Sequence, residues 1–254
     1  MSATMKRTDA RTWAPSIPKV VDLSHGAMAT EHGIQKSEFD DFFANEKSSC
    51  CGYKWEMIDN IVYIYDMADA PHEMAKGAFE TIFQREADRG GWNIMSSRSM
   101  LLVNPDPNDS DWGPDSSYIP IGRRGPMGSH DKTRRYPTLV LEIAATEKDE
   151  HVIAKAHKYL GPQTAIEIVV VFLIRPNETG ADRLQVLKFE RGQKNPCWRC
   201  SFADPVCSQA GDPNFKLQLP VGLLFENAPL PLALVGKSYV ELDLFRWKQE
   251  FLNK

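Results

Sequence analysis

The stretch YPTLVLEIAATEKDEHVIAKAHKYLG, Tyr136 to Gly161, decides how this chain is read. Its first half, Thr138 to Ala144, is apolar with almost no alternation, the pattern of a strand buried on both faces. One acid, Glu142, interrupts it. Its second half, Asp149 to Leu160, has the spacing of a helix. Ala165 to Ile174 follows as another β-branched run. Together these predict a right-handed crossover joining two parallel strands through a helix.

A lone carboxylate in a buried strand costs several kcal/mol unless it is paired, protonated or bound to a metal. One reading of Glu142 is therefore a strand-end acid paired with a lysine. The helix offers two lysines. Stepping about 100° per residue, Val152, Ile153, Ala156, Tyr159 and Leu160 cluster on one side. Lys155 falls about 40° outside that cluster, next to Tyr159, while Lys158 points further out. Lys155 is thus placed to reach Glu142, or else to snorkel at the surface.

Asp115, in GPDSSYIPI, precedes a short strand, Ser116 to Ile121, expected to neighbour the Glu142 strand. By itself it reads as a turn residue. With Glu142 it makes a pair of carboxylates of the kind that holds Mg²⁺ or Mn²⁺, hard cations that need only one or two protein carboxylates beside water. Such an ion polarises a phosphodiester oxygen and activates a water.

Around this centre the chain reads as mixed α/β (α+β). Residues 1–36 are polar and unpatterned, expected as a loose arm. Ser37 can cap a short helix. YKWEMIDNIVYIYD reads as a hairpin turning at Asp59-Asn60. Pro71 opens a helix with a stripe of Met74, Ala78, Ile82 and Phe83, ended by Gly90-Gly91. GWNIMSSRSMLLV reads as one strand or two, and Leu184 to Glu190 as a half-exposed strand. Residues 191–213 are expected to be an irregular excursion. SYVELDLFRWKQEFL reads as a helix with a capping box, Ser238 and Glu241, and a stripe of Val240, Leu244, Trp247 and Phe251. Residues 37–254 are taken as one domain, a mixed sheet flanked by helices.

Composition bounds the partners. The 254 residues carry a formal net charge of −4 and 42% hydrophobic residues, so the chain as a whole is not a polyelectrolyte binder. Nucleic acid would need a local basic patch, and the loop GRRGPMGSHDKTRRYP supplies one: Arg123, Arg124, Lys132, Arg134 and Arg135. Read plainly, the same loop is a solvated surface segment. No run approaches the roughly 18 apolar residues that cross a bilayer, and the N-terminus lacks a signal-peptide core, so an intracellular location, cytoplasmic or nuclear, is expected. The five cysteines are too few for a disulfide scaffold in a chain of this length. Cys197 and Cys200 are expected to be free thiols rather than zinc ligands. The pattern is compatible with a homodimer.

In this order and spacing, the pieces resemble the restriction endonuclease-like family of the PD-(D/E)XK nuclease superfamily. WEMIDNIVYI is similar to its opening hairpin, HEMAKGAFETIF to its next helix with a leading histidine, and GPDSSYIPI to its Pro-Asp strand. PTLVLEIAATEKDEHVIAKAHKYLG is similar to its Pro-x-Leu-Val-x-Glu-Val strand and Lys-x-x-x-Tyr helix. AIEIVVVFLIRP follows like its next strand. The resemblance spans about residues 53–176. It implies a restriction endonuclease-like fold and a metal-dependent nuclease in which Asp115 and Glu142 bind Mg²⁺ or Mn²⁺, Lys155 acts from the helix, and Glu56 is an extra acid. His72 matches the helix histidine, though a histidine at a helix start is more often simply solvated. Two departures stand out: the superfamily's lysine two residues after the strand acid is Ala144 here, and the family's small hydroxyl residue is Ala145. Those alanines point to the other reading, a nuclease-fold domain that binds or regulates without cutting.

Overall fold

A computed structural model of the chain describes residues 27–29, 37, 53–58, 61–66, 70–97, 102, 113–128, 135–145, 147–175, 184–202 and 207–252. The chain divides into two compact units: residues 1–67 with 104–112, and residues 68–103 with 113–254.

The first unit contains a three-stranded antiparallel sheet of β1 (Ala27–Ala29), β2 (Tyr53–Ile58) and β3 (Ile61–Asp66), ordered β1-β3-β2. Ile58 pairs with Ile61, so two residues separate the strands, as the hairpin reading requires. The arm expected over residues 1–36 is corrected at Ala27–Ala29, which pair with Tyr63–Tyr65. Short, alanine-rich AMA gave no strand signal of its own; its order comes from an edge of β3 left unpaired by β2. The helix expected after Ser37 and the turn Asp59-Asn60 lie outside the described residues.

The second unit is a mixed α+β fold around a six-stranded sheet ordered β4-β5-β6-β7-β8-β9. The strands are β4 (Ile94–Ser96), β5 (Ser116–Pro120), β6 (Leu139–Ala144), β7 (Ile168–Ile174), β8 (Leu184–Glu190) and β9 (Trp198–Ser201). All neighbours run antiparallel except β6 and β7, whose parallel register sets Glu142 beside Val171. Helix α2 (Asp149–Tyr159) makes that connection, as a parallel pair demands. Every residue of β6 and β7 is buried, which explains the missing alternation in their sequences. Strand β7 begins at Ile168 rather than Ala165 because the Ala165 and Ile166 carbonyls accept from the Arg123 and Arg191 guanidiniums instead of joining a ladder.

One face of this sheet packs on α1 (Ala70–Gly90) and α4 (Leu244–Leu252), and a one-turn helix α3 (Val221–Leu224) adds Val221 and Leu224 to the same core. Leu139, Leu141, Ile143, Val170 and Phe172 lie in this core. Phe172 meets Phe79 of α1 edge-on at 5.7 Å and Trp247 of α4 at 4.5 Å. The indole Nε1–H of Trp247 donates to the Ala75 carbonyl at 3.0 Å, tying the two helices together. The α1 stripe runs through Ala75, Ala78, Phe79, Ile82 and Phe83, so Met74 sits at its margin. Gly91, at φ 61°, takes the left-handed conformation just past the helix end.

Two sequence expectations are corrected here. Tyr239–Asp243 is a strand, β11, paired antiparallel with β10 (Lys216–Pro220), and α4 starts only at Leu244. Val240 and Leu242 alternate inward while Tyr239 and Glu241 stay exposed, a period-2 pattern hidden inside an apparent helical one. Ser238 and Glu241 therefore form no capping box; the Asp243 carboxylate accepts from the Phe245 N–H at 3.0 Å instead. The stretch 191–213 is not irregular throughout, since β9 lies in it as the sixth strand. Cys197, Cys200 and Cys207 form no disulfide. Burial pushes the Cys200 thiol up to about 12 and the Cys207 thiol up to about 11, so both sit protonated in the core as small hydrophobes. Cys50 and Cys51 lie outside the described residues. Among the described residues, no helix is long and apolar enough to cross a membrane.

Candidate functional site

Because side chains alternate across a strand, the residues of β6 that do not face α1 face α2: Val140, Glu142 and Ala144. Glu142 is only 1% exposed. Each of its carboxylate oxygens has a partner from α2. The Lys155 ammonium donates to Oε2 at 2.9 Å, and the Tyr159 hydroxyl donates to Oε1 at 2.6 Å. Lys155 and Tyr159 are four residues apart, hence neighbours on one helical stripe. Lys155 is itself only 5% exposed, so it is not a snorkelling surface lysine. An ion pair this deep is weakly screened by solvent, and losing either partner leaves the other charge buried alone.

Asp115 immediately precedes β5, the strand next to β6. Ser116 pairs with Leu141, and one more step along that register sets Asp115 opposite Glu142. The neighbouring residue confirms the sense of the strand: the Ser116 hydroxyl turns the other way and donates to Glu80 of α1 at 2.9 Å. The Asp115 carboxylate is 9% exposed and its Oδ2 accepts from the Ile143 N–H at 2.7 Å. His72, at the start of α1, places Nε2 3.1 Å from the same oxygen. The histidine is therefore engaged at this site rather than merely solvated.

Three residues join the cluster that the sequence reading did not assign to it. Tyr159 was visible as part of the buried stripe, but its hydroxyl partner was not. His151 stands four residues before Lys155, a spacing that places it on one stripe with Lys155 and Tyr159, and Glu147 stands eight before, just ahead of the helix start. His151 Nδ1 is 2.5 Å from Glu147 Oε1, and Lys155 Nζ is 3.9 Å from that oxygen. Arg175, just beyond β7, fixes the loop that carries Glu147. Its guanidinium donates to the carbonyls of Ala144 at 2.7 Å and Glu147 at 3.0 Å, and pairs with the Asp149 carboxylate.

Glu56 lies on β2 opposite Tyr63, in the first unit, whereas Asp115, Glu142 and Lys155 all belong to the second.

The donor set suits a hard divalent cation in kind: the carboxylate oxygens of Glu142 on β6 and of Asp115 at the head of β5. Among the described residues, no group of three or more His, Cys, Asp or Glu is gathered to hold a metal. Any ion at Asp115 and Glu142 would therefore complete its shell with water or substrate oxygens, as Mg²⁺ commonly does.

The basic loop divides. Arg123 is 7% exposed and turns inward, donating to the carbonyls of Tyr136 and Ala165. Burial lowers its pKa to about 10, with Glu167 opposing that shift. Its expected role at a phosphate is corrected: the guanidinium braces the entries to β6 and β7. Arg124 and Arg135 are exposed, and Met127 and Arg135 form a bridge that closes the loop between them. Lys132 and Arg134 lie outside the described residues. If the loop meets phosphates, Arg124→Ala with Arg135→Ala should lower the log–log salt slope of nucleic-acid binding by about 2, near one counterion per lost contact. Arg123→Ala should leave that slope unchanged and lower the melting temperature instead. Binding isotherms over a salt series separate the two outcomes.

No family model and no curated protein matches the sequence. Among solved structures, the chain is similar to a crystal structure of a putative nuclease belonging to DUF820 from Anabaena variabilis, at 15% identity and a TM-score of 0.47, over 82% of this chain and 97% of that one.

Proposed function

We propose that the protein is a metal-dependent nuclease of the PD-(D/E)XK type, hydrolysing phosphodiester bonds in nucleic acid. The observation that carries this reading is the buried Glu142, held by Lys155 and Tyr159, with Asp115 at the head of the next strand accepting from the Ile143 N–H. Motif order in the sequence supports it independently. Asp115 and Glu142 would hold Mg²⁺ or Mn²⁺. When bound, the ion would supply Lewis-acid polarisation of a phosphodiester oxygen and lower the pKa of a water.

The chain's own groups have distinct tasks. Tyr159 fixes the orientation of the Glu142 carboxylate through Oε1. The Ile143 N–H and His72 do the same for Asp115. Lys155 brings a positive charge into a desolvated site, where it stabilises charge developing on the phosphate far more than it would in water. Arg124 and Arg135 would meet the nucleic-acid backbone.

One observation favours a second reading. Ala144 is fully buried and Lys155 comes from α2, so the lysine that the superfamily usually carries on the strand is absent. That is the pattern of a nuclease-fold module that binds without cutting. A cleavage assay separates the two. Single-stranded, duplex and branched DNA and RNA are incubated with Mg²⁺, Mn²⁺ or Ca²⁺. Cleavage of some substrate with Mg²⁺ or Mn²⁺ is expected, weaker with Ca²⁺ because its looser shell positions water poorly. Binding without cleavage on every substrate would decide for the module.

A further inference from the structure

Lys155 stands near two carboxylates, closer to one than to the other. Its Nζ is 2.9 Å from Glu142 Oε2 and 3.9 Å from Glu147 Oε1. The second carboxylate is held ready. His151 Nδ1 lies 2.5 Å from Glu147 Oε1. Arg175 pins the Glu147 backbone to the end of β6. The Glu147 side chain is 11% exposed, so its charge is poorly screened.

We propose that Glu147 is a second seat for the Lys155 ammonium, taking it over when a divalent cation claims Glu142. This rests on the reading of Glu142 as a cation ligand. A cation at Glu142 would share Oε2 with an ammonium already there, and two positive charges on one carboxylate oxygen repel. Lys155, 5% exposed, cannot relieve that repulsion by swinging into water. A seat about one ångström beyond contact distance lets it yield by a small change in its side-chain torsions and stay in the site. Glu147 is thus a positioning residue, acting on the cation through Lys155.

The test is Mn²⁺ binding to the full chain, by calorimetry without nucleic acid, in a double-mutant cycle of Glu147→Gln and Lys155→Gln. Glu147→Gln alone should weaken Mn²⁺ binding by about tenfold, because the ammonium keeps competing for Glu142. In the Lys155→Gln background, where no ammonium needs a seat, Glu147→Gln should change nothing. Equal weakening in both backgrounds would mean that Glu147 acts only as general negative charge, and would overturn the proposal. So would an unchanged affinity in Glu147→Gln alone. If Lys155→Gln does not fold, a crystal structure of the Mn²⁺-loaded wild type decides. Nζ moved onto Glu147 supports the second seat, and Nζ still on Glu142 refutes it. A wild-type chain that binds no Mn²⁺ would remove the cation reading of Glu142 itself, and the second seat with it. Loss of the Glu147 effect in a chain that does bind removes only the second seat.

Discussion

Glu142→Gln should abolish divalent-cation-dependent cleavage of nucleic acid in a chain that still folds. Gln keeps the shape of the side chain, and its carbonyl can still accept from Lys155. Its amide can donate to the Tyr159 hydroxyl, which is able to accept as well as donate. What is lost is the negative charge. Without it a hard cation has one carboxylate fewer, and Lys155 loses the nearer of its two carboxylates, with Glu147 3.9 Å away. Cleavage should fall by about a thousandfold, the upper range for removing one group that stabilises transition-state charge. Circular dichroism should show the native secondary structure. Retained cleavage in the Gln variant would mean that the reacting phosphate sits elsewhere.

Lys155→Ala should cost stability as well as activity. It takes the ammonium away from Glu142, 1% exposed, and leaves the Tyr159 hydroxyl on the other carboxylate oxygen. Breaking a buried pair by removing one partner destabilises by about 3–5 kcal/mol, far more than the pair itself contributes relative to apolar residues. The companion experiment uses that asymmetry. Glu142→Leu with Lys155→Met replaces both charges by apolar groups of similar size, and should recover most of the stability while remaining inactive. Chemical denaturation of the three proteins gives the comparison. A double variant no more stable than Lys155→Ala would show that packing around α2, not the stranded charge, sets the cost. Full recovery of stability without activity would place the acid and the lysine there for function, since the fold does better without them.

The hairpin β2–β3, helix α1 and the β6–α2–β7 crossover were legible because each carries its signal locally. Two apolar runs flank a turn pair, a stripe of period 3.6 ends at a glycine, and two unbroken β-branched runs bracket a helix. The elements that escaped notice or were misread depend on partners far away in the chain. Strand β11 was masked because Val240 and Leu244 also fit a helical spacing. Only the presence of β10, with Leu217 opposite Leu242 and Leu219 opposite Val240, makes the period-2 reading win. Strand β9 carries a weak apolar signal and is ordered by pairing with β8.

The site divides in the same way. From the sequence alone came an acid in a doubly buried strand, a second acid at the mouth of a neighbouring strand, and a lysine at the margin of a helix's buried face. Those are properties of short windows, where periodicity and burial cost act on adjacent residues. Tertiary structure decided which oxygen Lys155 holds, that Tyr159 takes the other, that His72 stands at Asp115, and that Glu147 waits one ångström further off. It also turned Arg123 inward while leaving Arg124 exposed, a difference between adjacent residues that no composition rule contains. Such pairings join groups separated by up to dozens of residues. They are selected by the requirement that every charge carried into a low-dielectric interior finds a partner there, which is a condition on the folded packing and not on any local stretch of chain.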